Sequence, residues 1–156
     1  MAEKFERDQR SNAQLQDTYI HASQEPWLPG FSDGIDFKLL RASQETGAWT
    51  VLIRARKGAA IARHEHLGAG EYYMVSGKME VRGGVESGGI TAYGGDYGYE
   101  PNGMIHDSTN FPEESVLYFT NYGPIRFMDD ENKTIHVHDW QSVLKAAEEG
   151  RRKLAG

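Results

Sequence analysis

From Ile35 onward the chain alternates short β-type runs with turn residues. The runs are IDFKLL (Ile35 to Leu40), AWTVLIRA (Ala48 to Ala55), EYYMV (Glu71 to Val75), MEVR (Met79 to Arg82), ITAY (Ile90 to Tyr93) and VLYFTNY (Val116 to Tyr122). Val, Ile, Thr and aromatic residues pack well on a pleated, half-buried surface, and strands at this spacing predict an all-β sandwich or barrel. Two further runs, IRFM (Ile125 to Met128) and TIHVH (Thr134 to His138), flank the polar stretch Asp129-Asp130-Glu131-Asn132-Lys133, a connection of hairpin length. Glycine pairs at Gly83-Gly84, Gly88-Gly89 and Gly94-Gly95 punctuate the middle of the chain. Only the tail reads as helical: Asp139 is an N-cap residue, and Trp140, Val143, Leu144 and Ala147 recur at i, i+3, i+4 and i+7. This C-terminal helix is expected to pack on the outside of the β structure.

Residues 1–24 are polar with scattered Phe5, Leu15, Tyr19 and Ile20, too sparse for an amphipathic helix, so an arm or a short helix is expected there. The segment EPWLPG (Glu25 to Gly30) carries two prolines and a glycine, which neither continue a helix nor sit in a central strand. A chain of 156 residues suits one hydrophobic core. The expected organisation is a polar arm over 1–24 and a single domain over 25–156.

Composition narrows the chemistry. A net charge of −6, with no basic stripe to offset it, argues against nucleic acid and anionic membrane surfaces as partners. The sequence has no cysteine, which removes disulfides, thiolate metal ligands and a cysteine nucleophile together. Any metal must therefore bind to His, carboxylates or water. The start, MAEKFERDQRSNAQ, lacks the apolar core of a signal peptide and no later run has the length of a membrane span, so a cytoplasmic location is expected.

Three histidines fall in two clusters, His64-Glu65-His66 and Ile105-His106-Asp107. On a strand, residues i and i+2 face one way, so an HxH pair presents two imidazoles towards one point. A third ligand has to come from elsewhere, and a three-His set leaves positions open for water, substrate or dioxygen. An isolated HxH is more often a pair of surface histidines on an edge strand. Its context decides.

The context resembles the two motifs of the cupin superfamily. Gly58 stands six residues before His64, Glu71 follows His66 after four intervening residues, and Gly77 closes the strand, one residue shorter than the family's first motif. Gly95, Pro101, Gly103, His106 and Asn110 match the second motif throughout. The resemblance implies a double-stranded β-helix, or jelly-roll barrel, carrying a metal on His64, His66 and His106.

Within the superfamily, the stretch from Phe31 to Trp140 is most similar to the acetylacetone dioxygenases, through FSDG (Phe31 to Gly34), GEYY (Gly70 to Tyr73), GKMEVRGG (Gly77 to Gly84), YGYE (Tyr97 to Glu100) and FPEES (Phe111 to Ser115). That likeness implies an Fe(II)-dependent enzyme using O2 to cleave a C–C bond of a β-diketone, giving acetate and methylglyoxal from acetylacetone. It also implies a polar shell of Tyr72, Arg82, Glu100 and Thr109 around the metal. Two alternatives stay open: a zinc-binding regulatory cupin without catalysis, and a cupin dioxygenase acting on a hydroxyketone. His ligands accept several divalent ions, so zinc or another metal can replace iron. Cupins commonly pair through barrel edges, and a homodimer or homotetramer is expected.

The shortened first motif bears on Glu71. Side chains alternate along a strand, so moving Glu71 one residue towards Gly77 swings it to the opposite face and turns Tyr72 inward. A site of three neutral imidazoles without Glu71 follows, leaving the metal's full charge for an anionic chelating substrate. The second HxH, His136 and His138, has only Asp139 beside it, and that residue is a helix cap; no second metal site is expected. Trp49, Phe119, Phe127 and Met128 are assigned to the barrel core.

Overall fold

The computed structural model describes residues 18–156. Its main layer is a six-stranded antiparallel sheet. The strands are β1 (Leu28–Ser32), β2 (Ile35–Ala42), β3 (Trp49–Ala55), β6 (Gly70–Ser76), β9 (Tyr97–Glu100) and β12 (Ser115–Asn121), in the order β1-β2-β3-β12-β6-β9. Two smaller sheets complete the barrel. One joins β5 (His64–His66), β10 (Ile105–His106), β13 (Ile125–Met128) and β14 (Thr134–His138) in the order β10-β5-β13-β14. The other joins β4 (Ala60–Ile61), β7 (Lys78–Val81), β8 (Ile90–Tyr93) and β11 (Thr109–Asn110) in the order β4-β11-β7-β8. The described residues are thus mostly β, a single domain with a helix at its C-terminal end.

The alternation read from the sequence sets the inward face. Along β3, Trp49, Val51, Ile53 and Ala55 are buried while Thr50, Leu52 and Arg54 are partly exposed. Along β12 the inward set is Ser115, Leu117, Phe119 and Asn121, with Tyr118 outside. β12 lies between β3 and β6, with Leu117 opposite Ile53 and Met74, and Phe119 opposite Val51 and Tyr72. Phe37, Val51, Met74 and Phe111 are fully buried with them. Burial of these large side chains, each contributing roughly 1.5–3 kcal/mol of transfer free energy, holds the three sheets together.

The helix α1 (Trp140–Ala155) starts at Asp139. The Asp139 carboxylate accepts from the Ser142 backbone N–H at 2.8 Å, and Ser142 Oγ accepts from the Asp139 N–H at 2.8 Å, a reciprocal capping box. Its buried stripe is Val143, Ala147 and Gly150, not Leu144, which is exposed. Small residues at 147 and 150 let the helix lie close to β1: a methyl added at Gly150 would stand 3.1 Å from Leu28 Cβ and 3.1 Å from the Pro29 carbonyl.

The strands that position the site are among the shortest. β4, β5, β10 and β11 have two or three residues each, too few for alternation to show.

Inward and outward residues of β12 predict opposite mutational costs. Leu117→Ala is expected to lower stability by about 2–5 kcal/mol, whereas Tyr118→Ala, one residue away and facing out, lies within about 1 kcal/mol. Urea unfolding of the two variants measures the contrast.

Candidate metal centre

Strand register brings the three histidines together. His64 and His66 share one face of β5, two residues apart. β10 pairs antiparallel with β5 so that His106 lies directly opposite His64, which places its side chain on that same face. On the other side of β5, Phe127 and Ile125 of β13 stand opposite His64 and His66. The outward residues lock this narrow strand in place: Arg63 is ion-paired with Asp107, and the Arg126 guanidinium donates to Glu65 Oε2 at 2.5 and 3.1 Å.

Glu100 enters from the main sheet, at the end of β9, opposite Gly70. Its Oε2 lies 2.5 Å from His66 Nε2 and 3.5 Å from His106 Nδ1, while His106 Nδ1 is 3.3 Å from His64 Nε2. One donor atom from each of His64, His66, Glu100 and His106 falls within 4.8 Å of the others, and all four residues are buried. His64 Nδ1 donates to the Ala62 carbonyl at 2.8 Å, which leaves its Nε2 lone pair facing the cluster.

The electrostatics suit a cation. Burial pushes the His64 imidazole down to about 4, against the raising effect of the Ala62 hydrogen bond and with help from His66 and His106. Burial also lowers His106, against the raising effect of Glu100. Both rings are therefore neutral near pH 7, with lone pairs free to bind. For Glu100, burial favours the neutral acid, but the close approach of His66 Nε2 and the electrostatic influence of the neighbouring imidazoles outweigh it and hold the carboxyl below its usual range. His66 Nε2 and Glu100 Oε2 are both buried without a hydrogen-bond partner of good geometry among the described residues. Buried polar atoms of this kind need a counterpart, and three imidazoles with a carboxylate form a donor set that a divalent metal ion fits.

The polar residues expected around the metal separate into two groups. Tyr72, Arg82, Glu100, Met104 and His106 line one cavity of about 150 Å³. Tyr72 is buried, and burial together with the charges of Glu100 and Asp96 pushes its phenol up to about 12, so it stays a hydrogen-bond donor. Gly98, beside it on β9, is required by close approach, because a Cβ there would collide with the Tyr72 ring and hydroxyl. Arg82 follows β7 with a positive φ of 53°, an uncommon conformation for a side-chain-bearing residue, and its Nη2 lies 3.0 Å from Met104 Sδ. Thr109 instead sits buried on β11, opposite Val81 and Ile61, away from this cavity's lining.

Glu71 lies on the outer face of β6 and accepts hydrogen bonds from the Tyr97 hydroxyl at 2.5 Å and from the Tyr122 hydroxyl. It is outside the histidine cluster. Asn121 had no motif to mark it; its one signal was a polar residue continuing the inward series Leu117, Phe119 on β12. His136 and His138 stack on phenylalanines, His136 on Phe127 at 4.6 Å and His138 on Phe31 at 5.2 Å between ring centroids. Among the described residues they join no metal-holding group. Burial and the neighbouring His136 push His138 down to about 4.

Comparison with known proteins gives the chain its relatives in sequence and in fold. Residues 15–126 match the family model described as the ChrR cupin-like domain. The chain is 44% identical over 132 residues to the acetylacetone-cleaving enzyme of Acinetobacter johnsonii, covering 82% of this chain and 86% of that one. The crystal structure of an acetylacetone dioxygenase from Acinetobacter johnsonii superposes with a TM-score of 0.83 at 39% identity, covering 86% of this chain and 93% of that one. An RmlC-like cupin protein from Ralstonia eutropha shares the fold at 21% identity, with a TM-score of 0.74 and coverage of 85% and 86%.

Two histidines with depressed folded-state values, His64 and His138, set an acid limit on the metal-free protein. Between pH 6.5 and about 4 the unfolded chain binds protons on these residues that the native state does not, so stability falls as pH drops through that window. Replacing His138 by Phe, which keeps the stack on Phe31, is expected to shallow this decline, measured as Tm against pH.

Proposed function

The chain belongs to the cupin superfamily, through the ChrR cupin-like domain family, and from that membership and its buried His64–His66–His106 cluster we propose a non-haem Fe(II) dioxygenase that cleaves β-diketones. The observation that carries the reading is the joint one: four buried donors within 4.8 Å of one another, in a chain 44% identical to an acetylacetone-cleaving enzyme. A β-diketone with O2 yields a carboxylic acid and an α-ketoaldehyde, acetate and methylglyoxal in the case of acetylacetone, with no atom left over.

His64, His66 and His106 would hold the metal through their ring nitrogens, with Glu100, the fourth donor of the set, beside them as a base rather than a ligand, and Glu71, turned outward, would take no part. A divalent iron held there would supply Lewis-acid chemistry for the enolate and a conduit for electrons from substrate to dioxygen. The chain's own residues prepare the substrate. The cavity of about 150 Å³ is smaller than the roughly 300–1,000 Å³ typical of drug-sized ligands and selects small dicarbonyls. Glu100 Oε2, ionised and facing the cluster, accepts the proton lost from the carbon between the two carbonyls. The Arg82 guanidinium, lining the same cavity, balances the resulting anion, and the Tyr72 hydroxyl donates towards it. Thr109 acts from behind, by packing against Val81, the neighbour of Arg82. Of the polar arm expected over 1–24, residues 1–17 lie outside the described residues.

We assign the protein to the cytoplasm as a homodimer or homotetramer. No helix among the described residues is long and apolar enough to cross a membrane.

Anaerobic addition of acetylacetone to the Fe(II)-loaded protein is expected to give a charge-transfer absorption, which oxygen then bleaches as acetate and methylglyoxal form in equal amounts. Glu100→Gln should slow formation of the absorbing complex by about 100-fold or more, and His66→Ala should abolish it. Tight zinc binding with no oxygen uptake on any dicarbonyl would contradict the proposal and point to a regulatory cupin.

A further inference from the structure

The two nitrogens of His66 have different surroundings. Its Nε2 faces Glu100 at 2.5 Å, but Nδ1, on the far side of a fully buried ring, has no hydrogen-bond partner among the described residues. His64 differs, because the Ala62 carbonyl holds its outer nitrogen at 2.8 Å. A metal-bound imidazole needs such a partner to fix its tautomer and orientation and to raise its basicity. Directly behind the pair lies a second cavity, of about 30 Å³, lined by His64, His66, Phe119, Phe127 and Asn121 among others.

Asn121 is the other polar residue of that lining. It is 2% exposed, and its Oδ1 is buried without a hydrogen-bond partner among the described residues. The amide points over Gly70, where an added Cβ would stand 3.1 Å from Oδ1, so the backbone of β6 offers it no donor there. An orphan acceptor and an orphan donor thus share one small cavity whose other walls are aromatic and aliphatic. Its volume of about 30 Å³ exceeds the roughly 10–15 Å³ that a water needs, and a buried water is stable where two or more polar groups receive it.

We infer that Asn121 is a positioning residue for the metal centre, holding His66 Nδ1–H through a single buried water that donates to Asn121 Oδ1. This rests on the reading of His66 as a metal ligand. In its absence the ring is free to rotate about its stack on Phe119, which lies 6.2 Å away and near parallel, and Nε2 leaves the line of the cluster. The inference also accounts for a polar residue at the inward end of β12, where Leu117 and Phe119 precede it.

The test compares the full-length protein with Asn121→Leu, Asn121→Ser and His66→Ala, using Co(II) and Fe(II) as probes. Metal affinity is read by chelator competition, ligand geometry by the visible Co(II) spectrum, and packing by urea unfolding of the metal-free proteins. Asn121→Leu is expected to weaken metal binding about 10- to 100-fold and to alter the Co(II) spectrum while the metal-free protein remains at least as stable as the parent. Asn121→Ser, which keeps an acceptor and adds room for water, recovers part of the affinity. Unchanged affinity and spectrum in Asn121→Leu, or a loss matched by metal-free destabilisation that Ser does not rescue, would overturn the inference. Metal binding that survives His66→Ala would instead overturn the site reading beneath it.

Discussion

The rest of the site depends on the register of one three-residue strand. β5 carries His64 and His66 on one face, and its antiparallel partner β10 sets His106 opposite His64. A slip of one residue in either pairing would turn imidazoles to the far side of the sheet. The Arg63–Asp107 and Arg126–Glu65 ion pairs on the outer face tie β5 to the segment that follows His106 and to β13, so the polar surface of this small sheet secures its buried side. Short strands make weak ladders, and here the half-buried, two-donor Arg126–Glu65 contact adds to the backbone hydrogen bonds, while the exposed Arg63–Asp107 pair adds little.

Burial then makes the cluster a cation site. Three imidazoles and a carboxylate removed from water form a costly assembly unless something satisfies them. Desolvation keeps His64 and His106 neutral, which avoids like-charge repulsion and leaves lone pairs converging on one point. The centre also has two unlike sides. Towards Tyr72, Arg82 and Glu100 it opens on a cavity with charge and hydrogen-bond donors; towards Phe119 and Phe127 it backs on a small aromatic one with Asn121 at its wall. Substrate charge is handled on the first side, ligand orientation on the second.

Much of this was legible in the sequence where a repeating physical pattern existed. Alternation exposed β3 and β12, the cap at Asp139 exposed the helix, and the glycine–proline frame around His106 tied that residue to His64 and His66. The shortened spacing after His66 placed Glu71 outside, where Tyr97 and Tyr122 now hold its carboxylate. What stayed hidden depends on contacts distant in sequence. The family likeness placed Glu100 in the polar shell, but not its direct approach to a ligand: only the pairing of β9 with β6 brings it within 2.5 Å of His66. Asn121 reads as a strand-end polar residue until burial shows that it faces in. Leu144 fits the helical period, yet the stripe chosen by close packing on Leu28 runs through Ala147 and Gly150 instead.

X-ray absorption on the Fe(II)-loaded protein tests the central claim most directly, because it counts the ligands on the metal. The predicted result is three imidazole nitrogens per iron, unchanged when Glu71 is replaced by Gln. A shell with fewer than three imidazoles, or one that loses an oxygen in Glu71→Gln, would contradict a centre built from His64, His66 and His106.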